Sequence, residues 1–423
     1  MTTAFTAPAT QTTLPWLTRM LRSAFESRLS SITRGSLRLV ETWSGRSVEL
    51  GDGAVVATVQ VHDPAFYADL ARDGTIGSAD AYAAGRWDCH ELAALVGLLV
   101  HNRDVLERLE GGLARLSAPL HKLSHLMRPN SLSGSRRNIA AHYDLGNAFF
   151  ELWLDETMTY SSGVFEHADA TLAEASTAKL DRLCRKLDLQ PGDRLLEIGC
   201  GWGSLALHAA RHYGCHVTAT TISEEQYELA SERVRAAGLG ERIDVVKQDY
   251  RELRGTWDKV VSVEMIEAVG AQHLDEYTRT CARLLAPNGL FVLQAITITD
   301  RFYEAARDTV DFIKRRIYPG SFIPSVTSIL SSTTRTGDLR LVHMEDFGPH
   351  YARTLELWRE NLRETWTTAR ERGYSEEFLR LWEYYLVYCE GGFAEQFLGV
   401  AQMVFSRPDN RSAPLLADLP TTR

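Results

Sequence analysis

The segment that most constrains this chain is Glu197-Ile198-Gly199-Cys200-Gly201-Trp202-Gly203, which follows the apolar pair Leu195-Leu196 and precedes an amphipathic stretch, Ser204 to Tyr213. A buried strand that runs into glycines at alternate positions and then into a helix is one half of a doubly wound parallel sheet. The glycines let the backbone turn tightly and approach a ligand, and the helix N-terminus offers free N–H groups. A dinucleotide fingerprint needs Gly-x-Gly-x-x-Gly and an acid about 20 residues on. Here Ser204 takes the place of the last glycine, and the next strand tip, Thr220-Thr221-Ile222-Ser223, carries no acid. A turn with Glu197, Gly199, Gly201 and Gly203 instead suits S-adenosylmethionine (SAM), whose sulfonium and amino acid ends have no pyrophosphate.

The rest of the chain supports that sheet. Strands are expected at Arg194–Ile198, His216–Thr220, Ile243–Val246, Lys259–Val263 and Leu290–Gln294, alternating with helices. An antiparallel edge pair is expected at Leu339–Glu345 and Val400–Ser406. Long helical stretches at Arg301–Arg316 and from Thr354 through Tyr388 are expected to roof the site. The fold class is therefore α/β, a Rossmann-like SAM-dependent methyltransferase domain with a mostly parallel seven-stranded sheet, preceded by a smaller α+β domain. The division reads 1–116 for that first domain, 117–137 for a linker rich in Pro, Ser and Asn, 138–407 for the catalytic domain and 408–423 for a disordered tail.

Two further positions fit SAM. Ser223 to Gln226 is spaced as a capping box, with Thr221 and Gln226 set to meet ribose hydroxyls. Asp249, with Tyr250 beside it, is placed to accept from the adenine amino group. The six cysteines are scattered without a Cys-x-x-Cys pair, so no metal site is expected and a cytoplasmic setting is. A net charge of -9 argues against nucleic acid as a partner. The charge is uneven, however. Arg19, Arg22, Arg28, Arg34 and Arg38 face only Glu26 in the first 40 residues, and Arg115, Lys122, Arg128, Arg136 and Arg137 form a second run, this one without an acid. Basic stretches of this kind are usually solvated faces; the alternative reading is attraction to anionic lipid head groups.

Several segments resemble the cyclopropane-fatty-acyl-phospholipid synthase family. They are Asn138 to Asn147 around His142 and Tyr143, Leu154 to Ser162, Ser262 to Gly270, Ile317 to Pro324, Phe347 to Leu355, and Tyr384 to Cys389 ahead of Val404-Phe405-Ser406-Arg407. The resemblance implies methylene transfer from SAM to the cis double bond of a phospholipid acyl chain, with bound bicarbonate as the base. It implies catalytic roles for Glu267, Tyr351, Ser162, Gln294 and Cys389, and places Tyr160 and Ser161 in the cofactor-closing segment. Ser162 stands where many members have Cys, and Gln294 where many have His. These two departures keep a second outcome in view, a C-methyltransferase that makes methylene- or methyl-branched chains. The setting implied is cytoplasmic and peripheral to the inner face of the membrane, with a homodimer in view.

Overall fold

Alternation within single strands decides the architecture. In β5 (Arg194–Ile198), Leu195 packs into one apolar cluster and Leu196 into another on the opposite face. Val260 and Val261 divide the same way in β8 (Trp257–Val263), as do Phe291 and Val292 in β9 (Leu285–Ile298). A sheet apolar on both faces must be covered on both. The computed structural model, which describes residues 14–105, 146–413 and 415, shows this sheet with seven strands in the order β10-β11-β9-β8-β5-β6-β7. Strands β6 (His216–Thr221) and β7 (Ile243–Lys247) extend the parallel part. The expected edge pair is present as β10 (Arg340–Asp346) and β11 (Leu398–Ser406), antiparallel to each other, with β11 antiparallel to β9. Strand order reverses between β5 and β8, and the crevice outside their carboxyl ends is where such sheets bind ligands.

The helices of this unit include α4 (Asn147–Phe150), α5 (Leu172–Lys186), α6 (Ser204–Tyr213), α7 (Glu224–Ala236), α8 (Leu274–Leu284), α9 (Asp300–Asp308), α10 (Val326–Thr336) and α11 (Gly348–Glu364). Both long helical stretches expected from the sequence are broken. The first ends at Asp308, because Thr309 turns extended and its Oγ1 donates to the Ala305 carbonyl; one π turn, Ile313–Ile317, follows. The second divides at Thr365 and again at Gly373, both of low helix propensity. Ser375 then caps a new helix by accepting from the Phe378 N–H at 3.2 Å.

The chain forms two units, Met1–Lys122 with Trp366–Glu395, and Leu123–Thr365 with Gln396–Arg423. The sequence division assigned Trp366–Glu395 to the catalytic region. That segment groups instead with the first unit, because the helix Glu376–Ala394 packs on α2 (Ala65–Ala83) and α3 (Leu92–His101). There Tyr82 donates to Glu383 at 2.7 Å, and the Arg380 guanidinium lies 4.2 Å from the centre of the Tyr82 ring. The first unit also holds α1 (Trp16–Leu29) and a four-stranded mixed sheet, ordered β2-β1-β3-β4, of β1 (Gly35–Glu41), β2 (Arg46–Asp52), β3 (Val55–Val61) and β4 (Trp87–Cys89). The expected linker 117–137 and the residues His142 and Tyr143 lie outside the described residues. Among the described residues no helix is long and apolar enough to cross a membrane.

Candidate active site

At the end of β5 the chain enters the turn with Gly199 at φ 81° and Gly201 at φ 53°, both left-handed. A Cβ on Gly199 would come within 2.7 Å of Met265 Cγ, so the position is closed to any side chain, whereas the space a Cβ would take at Gly201 is open. Gly203 starts α6. Arg233, reaching from α7, donates to the carbonyls of Trp202 at 2.7 Å and Thr157 at 2.9 Å. It thereby ties the turn to the segment leading to Tyr160 and Ser161. Glu197 is buried, and its Oε2 has no hydrogen-bond partner among the described residues. Burial pushes its carboxyl up to about 8, against the opposing charge of Lys179 and the Ala206 N–H.

The next two positions differ from the sequence reading in detail. Ser223 Oγ accepts from the Gln226 N–H at 3.3 Å, but the reciprocal half of the capping box is missing. The Ser223 N–H donates to Thr221 Oγ1 at 3.1 Å, and Thr221 in turn donates to Gln226 Oε1 at 2.8 Å. Thr221 and Gln226 therefore hold each other at the tip of β6. Asp249 is buried past β7 and accepts from Arg251 through both oxygens, and Tyr250 packs edge-on against Tyr277.

A second cluster lies at the carboxyl ends of β8 and β9. Its hub is Glu264, which lies within the segment Ser262 to Gly270 and has no role in the sequence analysis. Glu264 takes a left-handed backbone, φ 48°, and its N–H donates to the Gln294 carbonyl at 2.8 Å. Its Oε1 accepts from the Ser162 N–H at 3.0 Å and from Gln294 Nε2 at 2.7 Å; its Oε2 accepts from the Tyr351 hydroxyl at 2.6 Å. Burial pushes the carboxyl up, while the Tyr351 hydroxyl, the Lys179 ammonium, the Gln294 amide and the Ser162 N–H oppose it. Glu267 accepts from the Ile296 N–H at 2.6 Å on Oε1, while its Oε2 is buried without a hydrogen-bond partner among the described residues. Burial, and then the charge of Glu264, push Glu267 up to about 8.

Lys179 on α5 is the second residue that sequence reading missed. It is fully buried, donates to Ser161 Oγ at 2.6 Å and is drawn down to about 8 by burial, opposed by Glu264, Asp155 and Glu197. A signal was available, since Lys179 falls on the apolar stripe Leu172, Ala175, Ser176, Leu180 and Leu183, where a solvated lysine has no place.

Aromatic rings run from the turn to this cluster. Trp202 lies 5.0 Å from Phe150, Phe150 lies 5.5 Å from Tyr160, Tyr160 lies 5.3 Å from Trp358, and Trp358 lies 6.1 Å from Tyr351. Tyr318 donates to the Tyr160 hydroxyl at 2.7 Å. Of the five expected catalytic residues, Ser162, Glu267, Gln294 and Tyr351 thus come together around Glu264. Cys389 is on the helix Glu376–Ala394, in the first unit.

With this geometry in hand, residues 130–403 match the family model for mycolic acid cyclopropane synthetase. The chain belongs to this family. It is 35% identical over 412 residues to the tuberculostearic acid methyltransferase UfaA1 of Mycobacterium tuberculosis, covering 93% of this chain and 95% of that relative. It is 34% identical over 358 residues to the cyclopropane-fatty-acyl-phospholipid synthase of Escherichia coli K12, covering 84% and 89%. Among solved structures, the cyclopropane synthase MmaA2 of Mycobacterium tuberculosis aligns with a TM-score of 0.60 at 31% identity, over 64% of this chain and 98% of that one. The mycolic acid cyclopropane synthase CmaA1, complexed with SAH and CTAB, aligns equally well at 30% identity. As a member of the family, this chain is a SAM-dependent lipid methyltransferase.

The residues present fit SAM. Glu197 Oε2, without a hydrogen-bond partner among the described residues, and the open space at Gly201 both lie at the carboxyl end of β5, beside the sheet's reversal point. Bicarbonate fits less well. An anion bound by Ser162, Gln294 and Tyr351 needs their donors, but the Ser162 N–H, the Gln294 amide and the Tyr351 hydroxyl already serve the Glu264 carboxylate, and the Ser162 hydroxyl donates to the Gly163 carbonyl at 3.0 Å.

Proposed function

We propose that this enzyme acts on the cis double bond of an unsaturated phospholipid acyl chain and converts it to a cyclopropane. The observation that carries this reading is the run of aromatic rings between the glycine turn and the buried carboxylates of Glu264 and Glu267. When bound, SAM supplies an electrophilic methyl group, which an alkene attacks only when closely aligned and shielded from water. In this reading Glu197, Gly199, Gly201 and Gly203 hold the methionine end. Thr221, Gln226, Asp249 and Tyr250 hold the nucleoside, and Tyr160 and Ser161 close over it. The rings of Phe150, Tyr160 and Trp358 stabilise a carbocation without attacking it. Glu267, held neutral by burial, and Tyr351 frame the reacting carbon. The base that the resemblance implies, a bound bicarbonate, receives no support from the donor set.

A second reading is methyl branching, in which the same cation ends as a methylene-branched chain. The observation favouring it is the match, over 93% of this chain, to a tuberculostearic acid methyltransferase. Incubation with SAM and a monounsaturated phospholipid, followed by proton NMR of the product, separates the two, because the isomers have equal mass. High-field cyclopropyl signals are expected. Vinylidene signals would transfer the conclusion to the second reading, and unchanged lipid would end both.

The substrate lies in a membrane, so the enzyme has to reach one. We place it at the cytoplasmic face as a peripheral protein, docked on anionic lipid through its first unit. On α1, Trp16, Leu17 and Met20 are exposed, with Arg19 among them.

A further inference from the structure

A reaction that leaves a carbocation needs a base at the new methyl group, and that base has to be anionic, desolvated and fixed in place. Three donors from three separate segments define where an anion sits in this site. The Ser162 N–H comes from the loop before α5, the Gln294 amide from β9 and the Tyr351 hydroxyl from α11. All three point at one carboxylate, that of Glu264. The chain has to hold Glu264 in a left-handed conformation, φ 48°, to deliver it there, which is unfavourable for a residue with a Cβ. Gln294 cannot turn its amide away. Its Oε1 accepts from Gln402 Nε2 at 2.9 Å, and Gln402 Oε1 accepts from Lys186 Nζ at 2.6 Å.

The site is also adjacent to the cofactor turn. Ser262, two residues before Glu264, donates to the Ile198 carbonyl at 3.1 Å, and Met265, one residue after it, covers Gly199.

We infer that Glu264 is the base of this enzyme, a carboxylate of the chain standing where a bound bicarbonate would otherwise be held. Resting on the proposed reading of alkene methylation, the step runs as follows. Glu264 takes one proton from the newly added methyl group. The electron pair of that C–H bond closes the third bond of the ring onto the cationic carbon, and Glu264 becomes a neutral acid. Its proton is released to solvent before the next turnover, which balances the loss of the sulfonium charge. Glu267 is set differently: a backbone N–H, that of Ile296, meets its carboxyl, none of the three donors faces it, and burial and the neighbouring Glu264 push it up to about 8. Lys179, buried beside Ser161, is the positioning charge that favours the ionised form of Glu264.

Two variants and three measurements test this inference. Glu264→Gln keeps the shape and removes the basicity. Glu264→Gly suits the left-handed backbone and frees the three donors around an empty space. Activity is measured in carbonate-free buffer and again with bicarbonate added. Bicarbonate binding is followed independently by carbon-13 NMR, and SAH binding by calorimetry. All three proteins should bind SAH alike. The wild type should work without bicarbonate and should not bind it. Glu264→Gln should lose at least about 100-fold in rate, with no recovery on adding bicarbonate. Glu264→Gly should lose as much, but bind bicarbonate and recover with it. Dependence of the wild type on bicarbonate, or a Glu264→Gln rate within about threefold of wild type, overturns the inference. So does bicarbonate binding by wild type, or its absence from Glu264→Gly. If the wild type left unsaturated phospholipid untouched, the proposed function would fall, and the binding comparison would still decide whether Glu264 occupies the anion's place.

Discussion

Glu197 shows how a cofactor site charges the apo protein for its readiness. Its carboxyl is pushed from 4.5 up to about 8, first by burial. Between those values the folded chain binds a proton that the unfolded chain has released. The group therefore favours folding fully below its unfolded pKa, and that contribution is lost as pH rises through the folded value. Glu197→Gln removes this dependence. The stability of the variant relative to wild type, from urea unfolding without ligand, should grow with pH across that window at up to about 1.4 kcal/mol per pH unit. Its affinity for SAH should fall. A stability difference flat in pH would mean that Glu197 is already ionised in the apo protein. The sequence made Glu197 legible because a glycine turn follows it. Glu264 was not legible in the same way. Its role depends on a left-handed backbone and on three donors far apart in the chain, and nothing local marks it except an acid directly at the end of an apolar strand. Lys179 was legible in principle, as a lysine on a helix face that has to be buried.

At the scale of elements, β11 does more than close the sheet. In the register of β9 against β11, Gln402 is opposite Gln294. The relay Lys186–Gln402–Gln294 fixes which end of each amide faces which partner, because an ammonium only donates and a carboxylate only accepts. Gln402→Leu should leave Lys186 without that acceptor and Gln294 free to turn. The loss of such a buried hydrogen bond is worth about 1–3 kcal/mol, so kcat should fall roughly tenfold while KM for SAM holds. Gln402→Glu still accepts from Lys186 but no longer donates to Gln294. It should therefore keep stability near wild type and still lower kcat. If both variants lost stability and neither lost kcat, the relay would be packing alone. The strands themselves were readable from alternation, and the edge pair from its position after the long helices. The helix breaks at Thr309 and Gly373 were less so, because apolar spacing continues across them while the backbone does not.

At the scale of the whole molecule, composition changes mark where the alternating β and α pattern begins, but not where a later helix packs. The helix Glu376–Ala394 carries Trp382, Tyr384 and Tyr385 and reads equally well as part of either unit; only its contacts with α2 and α3 assign it. The acidic chain, net -9, also has a basic beginning, and this bears on how it meets a lipid substrate. On α1, Trp16 is 70% exposed, Leu17 47% and Met20 52%, which is a large apolar surface for water to bear. Arg19 is exposed with them, while Arg22 is engaged by Glu41 at 3.1 Å. Apolar side chains beside an exposed cation on one helix are what the proposed docking on an anionic bilayer requires, rings and methyls to insert and a guanidinium for the head groups. Replacing Trp16, Leu17 and Met20 together by Ala should cut binding to phosphatidylglycerol vesicles by about 10–100-fold, since each inserted side chain contributes on the order of 1 kcal/mol. Turnover of vesicle lipid should fall with it, while turnover of the same lipid dispersed in detergent should not. The wild type should bind zwitterionic vesicles more weakly than anionic ones, and added salt should narrow that gap. Equal flotation of variant and wild type with anionic vesicles would remove α1 from the docking surface. An equal loss of turnover in detergent would place its effect on the fold rather than on the membrane.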